Sequence, residues 1–206
     1  MDPKENAAQG GELIAVPTPH ELARDAMDGS AIPVETVDSA GTENPSETLA
    51  ERIAATALQG GIRVGVAESL TSGAIASTLG AASDAGEWFS GGIVAYRPEV
   101  KFDVLGVPPG PVITATAAQR MASGCARVLA STATVAVTGA GGPGPQEGQR
   151  AGTVFIAVRT EHDETVQQCW FPGDPRTVVM KTVEAALELL ATTLENAASE
   201  ASRSAE

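Results

Sequence analysis

The chain has 206 residues and a formal net charge of −13, which argues against binding to nucleic acid or to an anionic membrane surface. Its two cysteines are too few for a disulfide framework, and no Cys and His residues have zinc-site spacing, so no metal site is expected. Neither a membrane-length apolar run nor the apolar core of a secretory signal is present, so we predict a soluble cytoplasmic protein.

Residues 1–46 differ in composition from the rest of the chain. They hold nine acidic and two basic residues, and their apolar residues are scattered among Pro, Gly, Ser and Thr. Too little apolar surface is available to offset the entropy of ordering, so we predict a disordered acidic tail. The compact run Leu13-Ile14-Ala15-Val16 leaves open a short linear motif that binds a partner. At the other end, the Ala, Ser and Glu-rich residues 195–206 are predicted to fray.

The core, residues 47–194, has the pattern of alternating helices and strands. The predicted elements, in chain order, are a helix over 47–59 capped by Asn44 or Ser46, a strand over 62–67, a helix over 72–81, a strand over 88–96, a turn or short helix over 98–104, a helix over 114–130 capped by Thr114, a strand over 133–138, a glycine-rich loop over 139–148, two strands over 152–160 and 164–171 joined by a hairpin turn, and a helix over 175–194. Helices between buried strands, with one hairpin, predict an α/β fold with a mixed sheet covered on both faces.

The first candidate for chemistry is Ser69, which directly follows a buried strand and precedes a helix. In open α/β sheets, ligands bind beyond the carboxyl ends of strands, where helix N-termini offer free N–H groups. A serine at this point either caps the helix, which is the commoner role, or attacks a carbonyl group. Position alone leaves both roles open.

Tyr96 and Lys101 follow the next strand along the chain. A lysine at this place is usually a surface charge, but if it is desolvated near Ser69, its lowered pKa allows it to act as a general base. Tyr96 has a packing role, stacks on an aromatic ring or passes a proton. The sequence does not choose among these roles.

The glycine-rich run 138–144 follows the third buried strand. Glycines allow a close approach to a phosphate, and consecutive N–H groups form an anion nest, although a flexible loop is equally consistent with this run. A Ser-His-Asp triad has no natural histidine, because His20 lies in the tail and His162 in a hairpin turn. Cys125 and Cys169 fit the apolar patterns of a helix and a strand, which indicates packing.

In their order along the chain, these segments resemble the C-terminal domain of the CinA family (competence/damage-inducible protein A), also found as the stand-alone nicotinamide-nucleotide amidase. The resemblance runs from about Thr48 to Leu194. It rests on Ala67-Glu68-Ser69-x-Thr71-x-Gly73, Trp88-Phe89-x-x-Gly92-x-Val94-x-Tyr96 with Lys101 beyond it, Leu105-Gly106-Val107, Val137-Thr138-Gly139-x-x-Gly142-Pro143, Gly152-Thr153-Val154 and Phe171-Pro172-Gly173-Asp174.

The resemblance implies a three-layer α/β/α sandwich and hydrolysis of the carboxamide of nicotinamide mononucleotide, which gives nicotinic acid mononucleotide and ammonia for NAD synthesis. It implies a serine nucleophile, Ser69, assisted by Lys101 and Tyr96. It further implies that the enzyme uses no metal or other cofactor and that it is a homodimer.

The resemblance also implies where the substrate binds. Backbone N–H groups near Thr71, Ser72 and Gly73 are expected to form an oxyanion hole. The loop that contains Thr138, Gly139 and Gly142 is expected to hold ribose or phosphate.

Three departures from the family pattern keep two alternatives open. Ser72 replaces a usual glycine, Arg97-Pro98 replaces Ser-Asn, and Pro175 replaces an arginine that contacts phosphate, which leaves Arg176 as the expected contact. The alternatives are a non-catalytic nucleotide-binding or regulatory module of the same fold, and an amidase for another small amide.

Overall fold

The computed structural model describes residues 44–204 of the chain. The predicted tail up to residue 43, with its apolar run, lies outside the described residues. Helix α1, Pro45–Gly60, begins inside the range that was predicted as tail. Its cap is Asn44, whose side chain accepts a hydrogen bond from the Ser46 N–H group. Of the two caps that the sequence allows, the structure therefore selects Asn44.

Five strands form one mixed sheet, as predicted. They are β1 Val64–Glu68, β2 Phe89–Val94, β3 Ala133–Gly139, β4 Thr153–Arg159 and β5 Glu164–Trp170, in the order β2-β1-β3-β4-β5. Strand β1 pairs in parallel with both β2 and β3, whereas the β3–β4 and β4–β5 pairs are antiparallel. The parallel strands β1, β2 and β3 therefore end at the same edge of the sheet.

Five further helices complete the described chain: α2 Ala74–Gly80, α3 Ala85–Trp88, α4 Pro98–Asp103, α5 Ala115–Leu129 and α6 Pro175–Ser204. The side chains of Val64 and Val66 pack in one core cluster with α1, α2 and α6. The next residue, Ala67, points to the opposite face and packs in a second cluster with α5. Because strand side chains alternate between faces, one strand serves both cores, and the three-layer α/β/α sandwich is confirmed.

Helix α5 packs very closely against the chain that follows α4. A Cβ atom added at Gly124 would lie 2.0 Å from the carbonyl oxygen of Leu105, so only glycine fits there. The Thr114 side chain caps α5 as predicted, accepting from the Ala117 N–H group at 3.0 Å.

Two helices differ from the sequence prediction. Helix α3 was not predicted, and it takes Trp88 from the predicted 88–96 strand; the indole ring of Trp88 is buried. Helix α6 continues to Ser204, beyond the predicted end at residue 194. The guanidinium of Arg52 on α1 pairs with Glu188 at 3.2 Å and with Glu195 at 3.0 Å, which ties this extension to α1. Fraying of residues 195–206 stays a prediction.

None of the helices described between residues 44 and 204 has the length and apolarity needed to cross a membrane.

Candidate active site

The candidate site lies where the parallel strands end. Ser69 directly follows β1, Tyr96 is the second residue after β2, and Gly139 ends β3. These three residues line one cavity of about 230 Å³, together with Leu70, Gly141, Gly142, Gln146, Pro175 and Val179. A cavity at the carboxyl ends of parallel strands is the usual ligand position in such sheets.

The central contact of the site joins Lys101 to Ser69. Lys101 belongs to helix α4, which places it next to the end of β1. The lysine is buried there, with 1% of its surface exposed. Its Nζ donates to Ser69 Oγ at 3.1 Å and to the Ala95 carbonyl oxygen at 2.6 Å. The structure therefore brings the predicted nucleophile and the predicted base into hydrogen-bond contact.

Two opposing effects set the protonation of Lys101. Burial lowers its pKa below the ordinary value of 10.5, because the ammonium loses hydration, whereas the carboxylate of Glu147 raises it. Glu147 Oε2 also accepts from the N–H groups of Val112 and Ile113, at 2.7 and 2.9 Å, and so anchors the glycine-rich loop. Sequence reasoning missed Glu147, and its position in an exposed loop gave no signal of this role.

Glu68 is a second residue that the sequence analysis did not single out for a role. It is 0% exposed, and its carboxylate accepts from the N–H groups of Gly73, Ile75 and Ala76 at 3.0, 3.2 and 2.8 Å. Helix α2 begins after Gly73, which has no capping side chain, so Glu68 supplies the cap from the end of β1. The sequence did hold a signal for this role: a helix start at a glycine, which has no side chain to cap the helix, follows closely after an acidic residue at the end of a strand.

This cap occupies N–H groups in the turn after Ser69 that were expected to form an oxyanion hole. The Gly73 N–H donates to Glu68, and the Ser72 N–H donates to the Ser69 carbonyl oxygen at 3.2 Å. Both donors are thus engaged within the protein, which argues against their use in an oxyanion hole. Thr71 is buried, and its Oγ1 has no hydrogen-bond partner among the described residues. That Thr71, Ser72 and Gly73 contact substrate stays a prediction.

Tyr96 is 67% exposed and lines the cavity beside Ser69, so its ring is accessible to a ligand rather than packed in the core. The departure at Arg97-Pro98 has a local structural reason. Pro98 is the first residue of α4, where its fixed φ suits a helix start and its missing N–H is not needed. This helix carries Lys101.

The structure separates the predicted residues of the glycine-rich loop. Gly139 and Gly142 line the cavity, as does Gly141. Thr138 is buried instead, and its hydroxyl donates to the Val112 carbonyl oxygen at 2.7 Å, so this side chain holds the fold. Binding of ribose or phosphate by the loop stays a prediction.

The start of α6 closes the cavity with Pro175 and Val179, whereas Arg176 is exposed and is absent from the lining. Asp174 caps this helix: its Oδ1 accepts from the Thr177 N–H at 2.9 Å. This hydrogen bond and a second one, from the Thr177 hydroxyl to Asp174 Oδ2 at 3.2 Å, hold the pKa of Asp174 below its usual value, so the carboxyl is anionic at neutral pH.

The other reactive side chains lie away from this cavity. Burial raises the pKa of Cys125 to about 12 and also raises the pKa of Cys169, which disfavours either thiolate as a nucleophile. His162 lies in the exposed turn between β4 and β5. Among residues 44–204, no group of three or more His, Cys, Asp and Glu residues has an arrangement that suits a metal ion.

The sequence matches known proteins over the whole core. A family model described as CinA C-terminal domain matches residues 46–194. Protein YdeJ of Escherichia coli is 32% identical over 163 residues, which cover 76% of this chain and 92% of that protein. A CinA-like protein of Frankia casuarinae is 35% identical over 130 residues, 61% of this chain and 30% of that protein. This chain also spans 33% of the length of matching proteins from Desulforamulus reducens and Bacillus velezensis.

Solved structures share the same fold. The competence damage-inducible protein A of Klebsiella pneumoniae superposes with a TM-score of 0.71 at 31% identity, over 74% of this chain and 98% of that one. The competence/damage inducible protein CihA of Agrobacterium tumefaciens gives a TM-score of 0.70 at 28% identity, over 74% and 96% of the two chains.

Proposed function

Because this chain belongs to the CinA C-terminal domain family, we propose that it hydrolyses the carboxamide of nicotinamide mononucleotide to nicotinic acid mononucleotide and ammonia. One observation carries the proposal: the 3.1 Å hydrogen bond between Lys101 Nζ and Ser69 Oγ, beside the cavity that Ser69 lines. A hydroxyl held against an amine of lowered pKa is what nucleophilic attack on an amide requires.

In the first half of the reaction, the neutral amine of Lys101 accepts the hydroxyl proton while Ser69 Oγ bonds to the amide carbon. The Ala95 carbonyl oxygen keeps Nζ in place by accepting a hydrogen bond from it. When the tetrahedral intermediate collapses, the C–N bond breaks and the Lys101 ammonium returns its proton to the departing nitrogen, which leaves as ammonia. An ester of Ser69 remains.

In the second half, a water molecule attacks the Ser69 ester, and Lys101 accepts the proton of that water. The ester bond breaks, and Ser69 Oγ regains its proton from Lys101, which restores the starting state. Lys101 is suited to both steps because its burial, at 1% exposure, lowers its pKa and so favours the neutral amine that accepts a proton.

Tyr96 is proposed to act on the leaving group, the amide nitrogen of the substrate. Its side chain lines the cavity and is 67% exposed, and its ring offers a face for the nicotinamide ring. A hydrogen bond donated by this phenol to the leaving nitrogen stabilises it during C–N cleavage, while Lys101 delivers the proton.

The test is ammonia release by the purified chain supplied with nicotinamide mononucleotide, with Ser69→Ala as the matched variant. We expect release by the wild type and none above background by Ser69→Ala. Full activity in Ser69→Ala would exclude the serine mechanism. Binding of the nucleotide without any release by the wild type would favour the non-catalytic module.

Two expectations from the sequence accompany this proposal. We propose a cytoplasmic location and a homodimer. Light scattering of the purified chain tests the second, with the mass of one 20.9 kDa chain as the contradicting result.

A further inference from the structure

We propose that the backbone N–H groups of Leu70 and Gly141 form the oxyanion hole of this site. The inference rests on the proposed amidase function and names the groups that stabilise its tetrahedral intermediate. It places the hole beside the turn 71–73, which the sequence indicated, rather than within it. Three features of the described residues carry it: the free N–H group of each residue, their close approach to each other, and the hydrogen bonds that fix both segments.

Leu70 directly follows the candidate nucleophile, Ser69, and lines the same cavity. Its N–H group has no hydrogen-bond acceptor within residues 44–204. The N–H groups of Ser72 and Gly73, in contrast, donate within the protein. In enzymes whose nucleophile stands on a strand-to-helix turn, the N–H group of the next residue commonly faces the developing oxyanion. Leu70 therefore supplies a free donor directly beside Ser69.

Gly141 brings a second free N–H group to the same wall of the cavity. Because glycine has no side chain, Gly141 lines the cavity with its backbone. A Cβ atom added at Gly141 would lie 3.7 Å from the Cβ atom of Leu70, so the two backbone segments approach each other closely. The Gly141 N–H group also lacks an acceptor among the residues from 44 to 204. Two segments thus each offer one unused donor at one place, which is the usual composition of an oxyanion hole.

Hydrogen bonds fix both segments and leave these two donors unused. Ala140, which precedes Gly141, donates to the carbonyl oxygen of Thr153 at 2.9 Å and accepts from the N–H group of Gly152 at 2.7 Å. On the other side, the buried carboxylate cap of α2 holds the turn in place. Donors that are fixed before the charge develops need no reorganisation in the transition state, which is where their catalytic value lies.

The hole acts when Ser69 Oγ bonds to the amide carbon. The hydroxyl proton passes to Lys101, and the electron pair of the C=O π bond moves to the oxygen, which becomes an oxyanion. The N–H groups of Leu70 and Gly141 donate to this oxyanion. When the electron pair returns, the C=O bond re-forms and the C–N bond breaks. Since the carbonyl oxygen of the bound substrate carries less charge, these donors stabilise the intermediate more than the substrate.

Thr71 and Gly142 are weaker candidates, although their N–H groups also lack an acceptor within residues 44–204. Thr71 is absent from the lining of the cavity. Gly142 lines the cavity on the side of α6, where an added Cβ atom would lie 3.7 Å from Pro175 Cγ. Its N–H group and the exposed Arg176 next to Pro175 are therefore left for another part of the substrate, such as the phosphate.

The decisive experiment removes single N–H groups without changing a side chain. In the full chain, Leu70, Gly141 or, as the control, Gly148 is replaced by its α-hydroxy acid, so that one backbone amide becomes an ester. Gly148 is exposed and lies outside the lining of the cavity, and its N–H group has no acceptor within residues 44–204. Urea unfolding checks that each chain folds. If an ester chain does not fold, Gly141→Pro, which also lacks the N–H group, is the second variant.

The probe is pyridine-3-boronic acid, which mimics the intermediate and needs no turnover. Its boron bonds to Ser69 Oγ and becomes a tetrahedral anion, while the hydroxyl proton passes to Lys101. One oxygen on the boron then takes the place of the oxyanion. Boron NMR detects the tetrahedral adduct, and calorimetry gives its Kd. The second readout is kcat for ammonia release from nicotinamide mononucleotide.

We expect the esters at Leu70 and Gly141 each to weaken boronate binding and to lower kcat by more than about tenfold, because the loss of one oxyanion donor costs about 100-fold or more in kcat. In a Ser69→Ala background, the same esters should change the Kd of nicotinamide mononucleotide by less than about tenfold, since no charge develops there. A loss below about tenfold at either position overturns the inference. So does an equal loss in the Gly148 control.

The two proposals fail in different ways. A boronate adduct that the esters weaken, without ammonia release from nicotinamide mononucleotide by the wild type, contradicts the amidase function alone. Ammonia release that the esters leave unchanged contradicts the oxyanion hole alone. Absence of both the adduct and ammonia release in the wild type overturns both proposals.

Discussion

Lys101 Nζ lies 3.1 Å from Ser69 Oγ, although 32 positions separate the two residues along the chain. The contact forms because β1 and β2 are parallel neighbours and α4 folds back under their ends. A buried lysine with one carbonyl and one hydroxyl partner is held in a single orientation, which is what a general base needs.

Lys101→Met is expected to lower kcat for ammonia release by about a thousandfold, because the proton acceptor is lost. The free energy of unfolding should stay within about 1 kcal/mol of the wild type, since removing a buried polar group offsets the lost hydrogen bond to Ala95. Kinetic assays and urea unfolding measure both. The control is Lys181→Met, an exposed lysine of α6. Wild-type turnover in Lys101→Met would remove lysine from the mechanism.

The pH dependence of the reaction should follow Lys101. Its pKa is lowered from 10.5 by burial, and only the neutral amine accepts a proton, so kcat/KM should rise with pH through this lowered pKa and then level off. Glu147→Gln removes the charge that favours the ammonium, so the pKa falls further and the rising limb moves to lower pH. Glu161→Gln, in the exposed hairpin turn, serves as the control. If kcat/KM of Glu147→Gln rises over the same pH range as in the wild type, Glu147 does not influence the pKa of Lys101.

Tyr96→Phe keeps the exposed ring and removes only the hydroxyl. If the phenol donates a hydrogen bond to the leaving nitrogen, kcat should fall by about 100-fold in this variant, with little change in KM. Tyr96→Leu loses the ring face as well and should also raise KM. Steady-state kinetics on the three proteins separate the two roles. A Phe variant with the wild-type kcat would leave Tyr96 with a stacking role only.

Glu68→Ala should destabilise the fold, because three N–H groups of the α2 start lose their buried acceptor. We expect the free energy of unfolding to fall by about 3 kcal/mol, and by about 1 to 2 kcal/mol in Glu68→Gln, which keeps one acceptor oxygen. Urea unfolding measures this. Glu87→Ala, at an exposed acid of α3, is the matched control and should differ little from the wild type. Equal stability of Glu68→Ala and the control would refute the capping role.

Ser72 has φ +53°, in the left-handed region that favours glycine, and its side chain is exposed. Ser72→Gly should therefore raise the free energy of unfolding by about 0.5 to 1 kcal/mol, after the added flexibility of the unfolded chain is counted. Ser72→Ala retains the Cβ atom and should show no such gain. Urea unfolding of both variants decides the matter, and a loss of stability in the glycine variant would contradict the strain argument.

The sequence predicted the fold well where the signal is local. The apolar patterns of 133–138 and 152–160 predicted β3 and β4, and the Thr114 cap of α5 was identified correctly. These features depend on residues that are close in the chain, so the periodicity of side chains is enough to find them. The placement of Ser69 after a buried strand predicted its place at the edge of the sheet for the same reason.

The sequence failed where a distant partner decides the structure. Helix α6 continues beyond the end of its apolar pattern, and in this extension Glu195 pairs with Arg52 of α1. The hydroxyl of Thr138 donates to the carbonyl oxygen of Val112, 26 positions earlier in the chain, a contact that the glycine-rich run does not indicate; substrate contact by Thr138 stays a prediction. Partners like these are far away in the sequence, and no local pattern reports them.

The sequence by itself determined that strands and helices alternate, that the sheet is mixed, and which residues stand at the ends of its strands. Only the tertiary structure decided that Lys101 is buried against Ser69, that Glu68 caps the next helix, and that Asp174 occupies the start of α6. The physical reason is that local conformation follows from neighbouring side chains, whereas burial and charge at a site depend on which distant segments the fold packs together.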